Sequence, residues 1–177
     1  VCALLDGGGY AAFAVADAEL CLPMPEEMSF EAAACLPEAL ATICSNVSAA
    51  DLPHGGAVLM HGGAGGLGHL AIQMFKQHFH AFVFTTCRGG KRGFCLQAGA
   101  DVAIDYEEED FVSVIRGHLM HKRVNLAVDV IGGSYVSRNL SVLAHDGILV
   151  QLAFQEGCTM TVEALPLLLK RLTWRGS

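Results

Sequence analysis

Two periods of apolar residues alternate along most of the chain and set out its elements. Short continuous apolar runs at 57–61, 82–86, 102–105, 126–131 and 148–154, with a sixth beginning at 172–174, predict strands buried on both faces. Between these runs, apolar residues recur three and four apart. Leu67, Leu70, Ala71, Met74 and Phe75 mark one helix face; Phe111, Val114, Ile115 and Leu119 mark another. Further helices are predicted over 92–98, closed by Gly99, and over 134–143 and 162–169. Strands that alternate with helices specify right-handed crossovers and a parallel sheet. The fold class is therefore α/β, a Rossmann-type doubly wound parallel sheet with strand order 3-2-1-4-5-6.

The opening segment reads differently. Asp6-Gly7-Gly8-Gly9 predicts a tight loop, 10–15 a short strand, and Pro23-Met24-Pro25 a rigid connection. Ser29 is placed to cap a helix, with Glu31 near its positive end. Pro37 ends that helix, a second spans 38–47, and 51–56 is a loop.

Gly63-Ala64-Gly65-Gly66-Leu67-Gly68 satisfies G-x-G-x-x-G. Its place between an apolar strand and an amphipathic helix makes the pattern informative. Gly63 lets the chain turn sharply. Gly65 has no Cβ to hold a pyrophosphate off the backbone, and Gly68 lets helix pack closely on strand. The helix start at Gly66 and Leu67 offers free N–H groups and a partial positive charge to the phosphates. A purely structural glycine loop is the alternative.

Charge refines the ligand. The net charge of −7 argues against nucleic acid, yet no Asp or Glu lies between Leu52 and Ala100, where Lys76, Arg88, Lys91 and Arg92 form a basic island. A site for NAD carries an acid about 20 residues past the turn, on the ribose 2′-OH. Thr85-Thr86-Cys87-Arg88-Gly89-Gly90-Lys91-Arg92 fills that place instead. Arg88 and Lys91 would attract a 2′-phosphate, which selects NADPH as cofactor; a solvated basic turn is the alternative.

The chain resembles the zinc-independent NADPH:quinone oxidoreductases of the medium-chain dehydrogenase/reductase superfamily. His61-Gly62-Gly63-Ala64-Gly65-Gly66-Leu67-Gly68 is similar to that family's phosphate turn, and Pro37-Glu38-Ala39-Leu40-Ala41-Thr42 to its helix entering the cofactor domain. Gly99-Ala100-Asp101, Asp105-Tyr106, Val128-Asp129-Val130-Ile131-Gly132-Gly133 and Leu143-Ala144-His145-Asp146-Gly147 follow in family order. The resemblance implies that Thr42 approaches the nicotinamide carboxamide and that Lys91 and Tyr106 hold the 2′-phosphate. It also implies that Ile131 and a strand end at Leu152, Ala153 and Phe154 line the nicotinamide. Arg88 departs from the small residue common there. By the same resemblance, 1–28 is the tail of a β-rich, GroES-like substrate domain and 29–177 the dinucleotide-binding domain. The implied activity is hydride transfer from NADPH to a small-molecule acceptor, a quinone or α,β-unsaturated carbonyl. A non-catalytic NADPH-binding module, or an enoyl reductase or alcohol dehydrogenase domain of a larger enzyme, stays open. Relatives pair through the edge of the sixth strand, so a homodimer is expected.

Other residues add little chemistry. The seven Cys lack paired spacing and read as buried, reduced thiols of a cytoplasmic protein. No apolar run reaches the length of a membrane span. With neither an initiator Met nor a polar tail, the chain reads as a fragment. No His/Cys cluster has metal-ligand spacing, so no metal is expected. His61 reads as a packed strand-end residue, Cys87 as a packed thiol and Asp129 as a structural hydrogen-bond partner. Glu107-Glu108-Glu109-Asp110 reads as a solvated helix start. No residue stands out as a proton donor, so the catalytic residues are left unassigned.

Overall fold

The computed structural model describes residues 1–48, 52–118 and 123–177. Its six-stranded sheet is β1 (Ala57–Met60), β2 (Phe82–Cys87), β3 (Val102–Asp105), β4 (Val124–Asp129), β5 (Leu143–Gln151) and β6 (Thr173–Gly176). All pairings are parallel and the order is β3-β2-β1-β4-β5-β6, as expected of a Rossmann-type sheet. The helices are α1 (Phe30–Ala34), α2 (Pro37–Ser48), α3 (Gly66–Gln77), α4 (Arg92–Gln97), α5 (Phe111–His118), α6 (Tyr135–Val142) and α7 (Leu165–Lys170).

Successive strand residues feed two cores, one on each face. Val58, Met60, Val83, Leu126, Val128 and Val150 join Ile43 and Val47 of α2 and Ile72 and Phe75 of α3. Leu59, Phe84, Ala127 and Leu149 join Phe111 and Ile115 of α5 and Val136 and Leu140 of α6. Each side chain of this kind, fully buried, contributes about 1.5–3 kcal/mol. Double coverage is why these strands are apolar without alternation.

The helix starts follow their capping residues. Ser29 Oγ accepts from Ala32 N at 3.2 Å, and Pro37 is the first residue of α2, where a missing N–H costs nothing. Asp110 Oδ2 accepts from Ser113 N at 2.9 Å and from Ser113 Oγ at 2.6 Å, and Arg138 Nη2 sits 2.9 Å from Oδ1. The Ser113 hydroxyl first, then Arg138, hold this carboxyl down at about 2. A folded-state value below that of an unfolded Asp gives stability that is complete above about pH 4 and lost as pH falls through about 2. Asp110→Ala is expected to cost about 1 kcal/mol near neutral pH. Urea titrations from pH 6 downward check it: the gap to the parent closes as the parent carboxyl protonates.

Several boundaries differ from expectation. No strand forms over 10–15; Phe13 is 93% exposed, and the segment's only sheet-like contact nearby is the antiparallel bridge of Cys2 with Leu22. β4 begins at Val124, because Asn125 Oδ1 accepts from Ala57 N at 2.9 Å and ties that end to β1. It ends at Asp129, whose carboxylate turns the chain, so Ile131 lies beyond it. β5 begins at Leu143 and ends at Gln151, which places Leu152, Ala153 and Phe154 in the following loop. Leu119 lies outside the described residues. Of the seven thiols only Cys87 and Cys95 are buried; Cys35, Cys44 and Cys158 are exposed.

Candidate functional site

The chain reverses between β1 and α3 at Gly62, not at Gly63. Gly62 has φ +71°, the left-handed conformation that favours glycine, and its carbonyl accepts from Gly65 N at 2.9 Å. Gly63 is required for a different reason. A Cβ there would collide with Thr85 Oγ1 and come within 2.9 Å of Ile72 Cδ1. On Gly68 it would collide with Gly62 O and lie 2.7 Å from Gly63 Cα. Gly65 and Gly66 are less crowded: a Cβ on Gly65 would stand 3.2 Å from Gly62 O, a tight contact, and Gly66 borders open space. Gly65 is also the N-cap of α3, a place that glycine favours. It supplies no side-chain cap, so the first helical N–H groups lack intrahelical partners.

Two clefts flank this turn at the carboxyl ends of β1 and β4, the switch point where α/β sheets bind ligands. One, of about 400 Å³, is bordered by Gly65, Gly66, Leu67, Arg88, Lys91 and Tyr106. The other, of about 930 Å³, is bordered by Thr42, Leu67, Leu70, Leu152 and Ala153, with Glu38, His69 and Cys35 among its ionisable groups. Gly66, Leu67 and Val130 border both, so the clefts adjoin at the turn. That is the shape a molecule with two ends joined by a central anion would fill.

The basic rim divides into two parts. Arg88 is 71% exposed and donates from Nε to Tyr106 Oη at 3.0 Å. Lys91 stands beside it, and among the described residues it makes no ion pair. Arg92 instead turns to the protein, donating to Ala103 O at 3.0 Å and to Glu109 Oε2 at 2.6 Å. Glu109 is thus a partner of Arg92 and of Asp105 N, not a solvated charge. The β3–α5 turn also brings acids here that the order of residues conceals. Glu107 lies 3.5 Å from Arg88, and Asp105 packs under Gly89, where a Cβ would collide with its carboxylate.

Ile131 and Phe154 border neither cleft. Ile131 packs toward the core beneath α5 and α6, and Phe154 rests against Gly132, 2.7 Å from where a Cβ would stand. Val130 and Gln155 take their place at the cleft, unforeseen from sequence. The switch-point rule applied to the end of β4 would have found Val130.

Beneath the turn lie the buried polar groups. His61 is fully buried, with Nδ1 2.9 Å from Thr86 Oγ1 and Nε2 2.8 Å from Asn139 Oδ1; burial pushes its pKa down. Asp129 Oδ1 accepts from Ile131 N at 2.6 Å and Gly132 N at 3.1 Å. Cys87 is buried against Cys95, and burial raises both thiols, Cys95 to about 12. His61, Cys87 and Asp129 therefore hold the structural places expected of them. Among the described residues no three His, Cys, Asp or Glu side chains converge as metal donors.

The sheet order and its switch-point clefts define a Rossmann-type α/β domain. The family model described as zinc-binding dehydrogenase matches residues 66–177, and the chain belongs to this family of the medium-chain dehydrogenase/reductase superfamily. It is 38% identical over 112 residues to 2-methylene-furan-3-one reductase of Solanum lycopersicum, covering 60% of this chain and 29% of that protein. It is 28% identical over 162 residues to quinone oxidoreductase of Mus musculus, covering 90% and 48%. The chain spans about half or less of these curated relatives. Quinone oxidoreductase of Thermus thermophilus, solved also in complex with NADPH, superposes with a TM-score of 0.86 at 28% identity, covering 99% of this chain and 56% of that one. No helix among the described residues is long and apolar enough to cross a membrane.

Proposed function

We propose that this chain is the NADPH-binding half of an oxidoreductase that transfers hydride to a quinone or an α,β-unsaturated carbonyl, working in the cytoplasm. The observation that carries the reading is the pair of clefts that adjoin at Gly66, with Arg88, Lys91 and Tyr106 at one end and Thr42 at the other. The residues fit the cofactor. The α3 N-terminus would hold the pyrophosphate, Arg88 and Lys91 the 2′-phosphate, and Leu67, Thr42, Leu152 and Ala153 the nicotinamide end. Bound there, NADPH supplies the hydride. The chain's own part is to orient the ring and dry one of its faces, for which the apolar walls of the larger cleft are suited. Residues 1–28 are assigned to the substrate domain and 29–177 to the cofactor domain. The unpaired outer edge of β6, beside exposed Leu165, Leu168 and Leu169, is assigned to a second copy of the chain.

The test is NADPH binding by this chain, followed by consumption of NADPH against a panel of quinones and enals. Binding with acceptor-dependent turnover is the expected result in the protein that carries the chain. Binding without turnover against any acceptor replaces the enzyme with a cofactor-binding module. Absence of binding overturns the cofactor assignment itself.

A further inference from the structure

One buried chain of hydrogen bonds joins the two walls of the clefts. Gly62 N donates to Thr86 Oγ1 at 3.3 Å, and Gly63 N donates to Thr86 O at 3.0 Å. Thr86 Oγ1 meets His61 Nδ1, and His61 Nε2 meets Asn139 Oδ1. Asn139 Nδ2 donates to Asp129 Oδ2 at 3.1 Å, and Asp129 Oδ1 receives Ile131 N and Gly132 N. His61, Asn139 and Asp129 are each at 0% exposure.

The chemistry of the groups fixes every proton in this chain. A carboxylate only accepts, so Asn139 must turn its amide nitrogen to Asp129 and its oxygen to His61. An amide oxygen also only accepts, so His61 Nε2 must carry a proton. In the neutral ring that burial favours, Nδ1 is then the acceptor of a hydrogen bond that the Thr86 hydroxyl donates. The hydroxyl's lone pairs are left for Gly62 N–H. Phe111 and Tyr135 pack roughly perpendicular to the His61 ring, each with its centroid 4.9 Å away.

We infer that Thr86, His61, Asn139 and Asp129 form a positioning relay that sets the phosphate turn and the Val130–Gly133 loop at the spacing one dinucleotide spans. None of the four touches the ligand in the arrangement above except His61, through its backbone at the turn; their effect passes through Gly62 on one wall and Val130 on the other. The inference rests on the cofactor reading and concerns the geometry between its two halves.

The experiment separates spacing from mere stability. NADPH and its fragment adenosine 2′,5′-bisphosphate are titrated into the parent chain, Asn139→Leu, Thr86→Val and Thr86→Ser. The fragment needs one wall; NADPH needs both. Asn139→Leu should weaken NADPH by about tenfold and leave the fragment within about twofold. Thr86→Val should also weaken NADPH, and Thr86→Ser, which keeps the hydroxyl, should restore it. If Asn139→Leu does not fold, the Thr86 pair decides, since both side chains match the parent's size or fall below it. NADPH affinity unchanged in Asn139→Leu and Thr86→Val overturns the relay, as does an equal loss for NADPH and the fragment. A parent chain that binds neither probe overturns the cofactor reading instead.

Discussion

Gly65→Val is expected to weaken NADPH binding severely and to leave the chain folded. Gly65 has φ −79° and ψ 169°, a conformation open to any L-residue, and its added Cβ meets only Gly62 O at 3.2 Å. The substitution is expected to cost about 1 kcal/mol of stability, the scale of a lost helix cap. A pyrophosphate cannot accommodate it, because the side chain occupies the approach to the helix N–H groups. The expected loss is about 100-fold or more in affinity, equal to about 2.7 kcal/mol. Gly68→Ala gives the contrasting result. Its Cβ would collide with Gly62 O and stand 2.7 Å from Gly63 Cα, and both are backbone atoms that cannot rotate away. It is expected to cost about 1–3 kcal/mol of stability or more, with binding lost as a consequence. NADPH titration and urea midpoints, measured on both variants, separate the two. Unchanged NADPH affinity in a folded Gly65→Val chain would rule out the pyrophosphate assignment.

The contrast between these glycines shows how far the order of residues carries. A strand covered on both faces is apolar throughout, so the runs of β1 to β4 were legible from periodicity. The exposed edge strand β6 is not of that kind, and the strand order came from the Rossmann-type pattern. Strand ends were not legible. His145-Asp146-Gly147 is a turn signal by composition, yet β5 runs through it. Asp146 takes a left-handed φ of 60° and pairs with Arg171, so a feature that reads locally as a break is absorbed by a contact 25 residues away. The β4–β5 register shifts at the same place, between Val124 and Leu126.

At the candidate site the same limit applies. Gly63, Gly65 and Gly68 were legible as a motif, but which of them serves the fold and which faces a ligand depends on Thr85, Ile72 and Gly62 O, neighbours set by packing. Arg88, Lys91 and Tyr106 do converge at one cleft, and Thr42, Leu152 and Ala153 at the other. Ile131 lies one residue beyond the cleft lining, because Asp129 captures its N–H where the strand ends, and Val130 borders the cleft. The acids were missed for a topological reason. β3 lies beside β2 at the sheet edge, and its Asp105 is in register with Cys87, so the β3–α5 turn delivers Glu107 to Arg88.

Those acids make the double variant Arg88→Ala/Lys91→Ala the sharper test of cofactor choice. A 2′-phosphate placed between two cations gains charge-assisted hydrogen bonds that a 2′-hydroxyl cannot match. Arg88 is largely exposed, so salt and water weaken its share of that gain. We expect the double variant to bind NADPH about 30- to 100-fold less tightly and NADH about as before, with the NADPH loss shrinking at high salt. Glu107→Gln moves the other way. Its carboxylate competes for Arg88 from 3.5 Å, so removing that charge should tighten NADPH several-fold while Tyr106 still orients the guanidinium. Titrating all three chains with both nucleotides at low and high salt checks the set. An equal loss of NADPH and NADH in the double variant would move Arg88 and Lys91 from the 2′-phosphate to the shared pyrophosphate. An unchanged NADPH affinity would return them to a solvated turn, and the choice between the nucleotides would then have to come from the acids of the β3–α5 turn.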